Sequence, residues 1–405
     1  MSKRKLILSV LINGVLLSSL YVAGAVDVAP GSGNGVAIGT GSNAPKAENV
    51  AIGKGATIEY SGGVGQPSTG DIVIGGKAHI NNYIDQGGGI AIGANSFVEN
   101  MVGGMERAFD FNQAGYKNLF GIPFGLPKNP EKMVTGMAIG QNTYARSGSI
   151  MLGTHNYKGK LGDVDVDSSN TKNNNGHLFS TTIGANSYSN GLFSSIVGAY
   201  SIASSGYPTT TADATKNFGA TITGSLNSIE SASASSQYSG VANSIVGTAN
   251  RTFNSNGSLV FGAGNEITNS VADISAPSSG GNSAKELAEK LRSTVKNSNG
   301  GGSTMAFGSG NKADYTLRSA LMGVNNTLTG SQGKESKNTM LTGFHNTADK
   351  VFNTTVIGSE NTVTNSKNSL VMGDNREVKD ANHAVLIGST DSKTTTSVNN
   401  AVAIG

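Results

Sequence analysis

Three consecutive apolar residues running into a glycine recur along most of this chain, with polar residues filling the stretch between one group and the next. The groups run from Val36-Ala37-Ile38-Gly39 to Val402-Ala403-Ile404-Gly405, and eighteen of them occur in order, counting variants such as TTIG at Gly184 and MLTG at Gly343. Where nothing is inserted the glycines fall 14 or 15 residues apart, as from Gly343 to Gly358, Gly373 and Gly388. That period is too short for a helical hairpin or a propeller blade. Each repeat also carries a second element: an Asn shortly after the glycine, then an apolar or small residue two positions on, as in Asn265-Glu266-Ile267, Asn311-Lys312-Ala313, Asn326-Thr327-Leu328 and Asn361-Thr362-Val363. The pattern predicts a strand, a glycine turn, a short second strand and a polar return, with Asn expected in a left-handed or capping role at the turn.

Stacked coils of this kind form a parallel β-solenoid. Successive side chains of a strand point to opposite faces, so a solvated wall alternates apolar and polar residues. Here all three positions before the glycine are usually apolar, as in Leu370-Val371-Met372 and Val385-Leu386-Ile387, which is the pattern of a strand covered on both faces. One face fills the interior of the coil. No helix recurs to cover the other, so the simplest cover is another copy of the chain, and an obligate oligomer is expected.

Composition agrees with repetition in place of a conventional core. The chain has 57 glycines, no tryptophan, 6% aromatic and 14% charged residues. Lys3, Arg4 and Lys5 precede an apolar stretch from Leu6 to Val22 and the small residues Ala23-Gly24-Ala25, so residues 1–25 read as a secretory signal peptide. Taking those three basic residues from 29 leaves 26 against 26 acidic ones, which removes the apparent charge of +3 and with it any case for nucleic-acid binding. With no cysteine, an exported chain has neither a disulfide framework nor a thiolate metal site.

The repeats NSLVMG, NAVAIG, GIAIGANS, GMAIGQNTYA and STTIGANSYS resemble the head repeats of the trimeric autotransporter adhesins of the YadA type. The resemblance spans residues 36–405, interrupted by insertions, and the turn glycines Gly39, Gly53, Gly93, Gly140, Gly358, Gly373 and Gly388 fall on its motif. It implies an all-β fold: a left-handed parallel β-roll, homotrimeric, occupying residues 26–405 with loop insertions and one short α-helical insertion. It further implies an adhesin on the bacterial cell surface, held in the outer membrane and binding a host surface receptor, such as one of the CEACAM family, or extracellular matrix. The family's membrane anchor is a C-terminal barrel reached through a stalk. This sequence stops at Ala403-Ile404-Gly405 with no heptads before it, so the expectation is a head belonging to a longer protein.

Recognition is expected in the insertions, because loops on a rigid scaffold carry function. The insertion near residues 97–135 gathers Phe109, Phe111, Tyr116, Phe120 and Phe124 in a chain poor in rings, and these are the receptor-binding candidates; a satellite core pinning the insertion to the roll is the other reading. The insertion near 156–179 holds Asp163, Asp165 and Asp167, but Ser168 and Asn174 stand where a calcium loop needs Gly and Glu. The insertion near 268–304 places Ala284, Leu287, Ala288, Leu291 and Val295 at helical spacing behind a candidate N-cap, Ser283. The five histidines are scattered, no nucleophile or metal motif occurs, and neither a metal nor a cofactor is expected. The competing class is a secreted β-helix enzyme acting on polysaccharide, which needs carboxylates and basic residues aligned across neighbouring coils. A regular Thr lattice, as an ice-binding solenoid requires, is not evident.

Overall fold

The computed structural model describes residues 29–60, 70–82, 88–100, 135–155, 179–189, 191–207, 216–232, 239–271, 274–276, 284–298 and 302–405. All eighteen apolar groups are strands of one sheet, and that sheet is parallel throughout. The strands pair in sequence order with group opposite group, as in Val36↔Val50, Leu370↔Val385 and Ile387↔Ile404. Insertions leave this stack intact: Ile90 pairs directly with Met137, and Leu259 with Met305. The second element of each repeat builds the facing wall, a four-stranded parallel sheet that includes Thr57–Tyr60 and Tyr144–Arg146, then an eleven-stranded one from Tyr188–Ser189 to Thr394–Thr396. The chain is therefore an all-β, solenoid-like stack of two-walled coils.

The interior is built from the middle residue of each group and the middle residue of the strand opposite. Leu341 with Ala348, and Val356 with Val363, are fully buried in this way. The glycine that follows turns the chain. Gly343 has φ +122°, and a Cβ there would lie 2.0 Å from the carbonyl oxygen of Gly358 in the next coil. Both the backbone angle and the close approach require glycine.

The repeating asparagines take the capping role of the two expected, donating from Asn311, Asn326 and Asn346 to the carbonyl four residues back, and they carry it further, between coils. The left-handed corner belongs to the residue before them (Gly264, Gly310, Asn325 and Glu360, φ +53° to +65°). Asn265, Asn311, Asn326 and Asn361 are buried. Their amides stack between coils: Asn326 donates to the Oδ1 of Asn311 at 3.1 Å and to the Gly343 carbonyl at 2.9 Å, while its own Oδ1 accepts the backbone N–H of Asn346 at 3.1 Å. The ladder runs from Asn227 to Asn361 and ends on Arg376, whose Nε and Nη2 donate to the carbonyls of Gly388 and Gly405, each at 2.7 Å. A buried polar group is tolerated only when its partners are supplied, and here the repeat supplies them.

The expected helix is present, α1 (Ala284–Asn297). Its candidate cap Ser283 lies outside the described residues. Leu287, Leu291 and Val295 dock on a satellite core of Leu192, Phe218, Val241 and Ile274 from successive coils. The insertion boundaries also shift. Phe97–Asn100 is a regular strand paired with His79–Asn82, and Thr268 closes the strand Glu266–Thr268, so both insertions begin later than the sequence suggested.

Among the described residues the interior falls into two apolar clusters, one ending at Met151 and one beginning at Ile196. Between them the inward position is Thr182, buried, with no hydrogen-bond partner for its Oγ1. Among the described residues the strands of the second wall fall into two sheets here, one closing with Tyr144–Arg146 and the other opening with Tyr188–Ser189, and residues 156–178 between them lie outside the described residues.

Candidate interaction face

The outward residues of the long sheet form two rows, the first and third positions of each group. The middle residue is buried in nearly every coil while its two neighbours are half-buried or exposed, as in Ile72-Val73-Ile74 and Leu370-Val371-Met372. In the single chain, then, the face expected to need a cover is an open apolar surface. Phe261 is 54% exposed there and stacks on Phe307 of the next coil, ring centroids 6.3 Å apart. The rows are apolar through the first coils, to Ile150 and Leu152, and again from Leu259 and Phe261 onward except at the isolated Thr355 of the first row and Thr342 of the third. In between the first row turns polar at Thr181, Ser195, Thr221 and Ser244. Those are the coils on which α1 docks, through Leu192, Phe218 and Val241 of their returns.

The glycines Gly39, Gly53, Gly93, Gly140, Gly358, Gly373 and Gly388 all occupy the corner at the end of this sheet, each with φ between +114° and +133°. The aromatic candidates Phe109, Phe111, Tyr116, Phe120 and Phe124, and the acids Asp163, Asp165 and Asp167, lie outside the described residues, as does the signal segment 1–25. The stem of the aromatic insertion is described. Asn100 accepts the backbone N–H of Gly136 at 2.9 Å and donates to Asn82 at 2.9 Å, tying the two ends of the insertion to the wall. Beside it the buried Tyr144 hydroxyl donates to Glu99 at 2.5 Å. Burial first, then the Glu99 charge, holds that phenol well above its usual range.

Ionisable residues do align across the second wall. Arg251 Nε bonds Glu230 at 3.0 Å and its Nη1 bonds Glu266 at 2.8 Å, in three consecutive strands. These groups bind one another, and above all the Glu230 bond raises the guanidinium pKa further. A second carboxylate, Asp71, is buried and accepts from Tyr60 at 2.8 Å, Gly89 at 2.9 Å and Asn82 at 3.0 Å. Burial outweighs those bonds and pushes its pKa up from 3.8. Among the described residues no group of three His, Asp or Glu side chains is placed to hold a metal ion.

The polar interruption of the first row and the anchored stem of the aromatic insertion were missed from the sequence. The first is written in the groups TTIG, SIVG, TITG and SIVG, but it gains meaning only once strand register places them in one row. No known protein-family profile matches this chain, and none of the curated proteins searched matches it either.

Proposed function

We propose that this chain is the head of a trimeric adhesin of the YadA-like autotransporter type, exported by residues 1–25 to the bacterial surface. In this reading each copy is a left-handed roll. Three copies pack around a threefold axis through the outer face of the long sheet, and a stalk and anchor belong to the longer protein. The observation that carries the proposal is the pair of exposed apolar rows on that face. Eighteen strands at about 4.8 Å spacing make it roughly 80 Å long, and two rows about 7 Å apart with their side chains present on the order of 800 Å². That is about the area each partner contributes to a stable protein interface, and larger than the apolar patches monomers leave in water.

The trimer would present three copies of the aromatic insertion, so that a receptor-dense host surface, CEACAM proteins or extracellular matrix, is held by avidity. Two measurements test this. Light scattering of the refolded mature chain is expected to give three times the chain mass, and a monomer overturns the reading. Deletion of residues 101–134, between the anchored ends Asn100 and Gly136, is expected to abolish retention on a receptor array while leaving the oligomer whole. Unchanged retention moves the binding surface off that insertion.

A further inference from the structure

A face that repeats every coil has a difficulty of its own. Two copies could slide past each other by one coil, about 4.8 Å, and meet nearly the same surface again. Something must break the repeat for a single alignment to win. Resting on the reading that copies pack through this face, we propose that the coils from Thr181 to Val246 are the element that fixes the axial register between copies of this chain.

Two independent irregularities coincide there. The first row holds four successive polar residues, Thr181, Ser195, Thr221 and Ser244, bounded by Ile150 on one side and Leu259 on the other. A slip of one coil sets an apolar residue of one copy against a polar residue of the next at both boundaries. The second irregularity is at the glycine corner beside the third row. Its left-handed position is filled by Asn142 and His155 before these coils, by Asn186 and Ala249 in the first and last of them, and by Gly264, Gly310 and Asn325 after them. At Tyr200 and Leu226 it carries large apolar side chains, with φ +53° and +60°.

Bulky residues are outliers in that region of backbone space, and strain that persists points to use. These two are also 48% and 58% exposed, so burial in the single chain does not account for them. They occupy adjacent coils, since the Leu226 N–H donates to the Ala199 carbonyl and the Tyr200 N–H to that of Ala185. The exposed apolar band thus narrows: as the first row turns polar, Ile183 and Val197 of the third row carry it as far as Thr223, with Tyr200 and Leu226 on its border. The occupant that matches a band with this repeat, this length and one narrowing is a second copy with the same narrowing at the same height.

The test is single-particle electron microscopy of the refolded mature chain, averaged without imposed symmetry, for three sequences. The native chain is expected to show its copies level. The double variant Tyr200→Asn/Leu226→Asn places at each corner a residue that favours it, so its melting temperature should equal or exceed the native value. It is expected to yield particles whose copies are offset by whole coils, in steps of about 4.8 Å. A second variant, Thr181→Val with Ser195→Val, Thr221→Val and Ser244→Val, erases the polar stretch with strand-favouring residues and is expected to do the same. Level copies in both variants overturn the proposal while leaving the oligomer intact. Level copies combined with lost host-surface binding in the double variant overturn it too, and assign the pair to a receptor. A native chain that is monomeric by light scattering removes the underlying reading instead.

Discussion

The asparagine ladder offers the most direct measurement of what holds the coils together. Asn326→Ala removes the bond to the Gly343 carbonyl and the bond from the Asn346 N–H, 2.9 and 3.1 Å long, in a place closed to water. A buried group left without its partner costs about 1–3 kcal/mol, so the two together should cost about 3–4 kcal/mol. The control is Asn353→Gly. Asn353 belongs to an exposed amide stack, donating to Asn368 at 3.1 Å and accepting from Asn338 at 2.9 Å, and its φ of +49° suits glycine. There water replaces the lost partners, and a change under about 0.5 kcal/mol is expected. Equilibrium unfolding in urea, with midpoint and slope measured for both variants, separates the two. If Asn326→Ala costs no more than Asn353→Gly, the buried ladder is incidental and strand pairing with core packing alone holds the stack.

Three further outcomes follow from the same geometry. Gly343→Ala drives a Cβ to 2.0 Å from a backbone carbonyl at a φ of +122°, so the coils around it should lose amide protection in hydrogen exchange, with at least ~3 kcal/mol lost. Met372→Lys places a charge on the third row, where Met372 is 38% exposed; the single chain should melt as before while the oligomer dissociates in light scattering. Asp71 has a pKa raised above 3.8 by burial, so the folded chain holds that proton more tightly than the unfolded one. Its contribution to stability is therefore fully present below 3.8 and lost as pH rises through the raised value. Asp71→Asn should flatten that part of the melting-temperature profile, and an unchanged profile would place the titration elsewhere.

Much of the fold was legible because its signals are local. A strand's period of two and a glycine at a fixed place in each repeat are visible without knowing any contact, and every apolar group indeed became a strand of the long sheet. The helix Ala284–Asn297 was legible for the same reason, through Leu287, Leu291 and Val295. What it docks on was not: Leu192, Phe218 and Val241 are short apolar spots in polar returns far apart in sequence, and only stacking brings them together. The capping role of the asparagines was legible, since Asn311, Asn326 and Asn346 each donate to the carbonyl four residues back in their own turn, but their shorter bonds reach partners one coil away, which no local pattern shows. The outward face was inferred from an excess of apolar residues. Its polar interruption needed the register.

The break in the interior at Thr182 bears on how the chain behaves under load. Coils that touch only their neighbours unfold as a row of linked units, and a weak contact between two units divides the row. With a buried, unpartnered hydroxyl at Thr182 between the Met151 and Ile196 clusters, apolar packing between coils is interrupted there while the long sheet pairs straight across, which makes this the weak contact of the row among the described residues. A pull along the stack would part the row there first. Each later coil would then add about 50 Å of slack from its 15 residues. For a protein held at one end and loaded at the other, that is a shock absorber with a set point of first release.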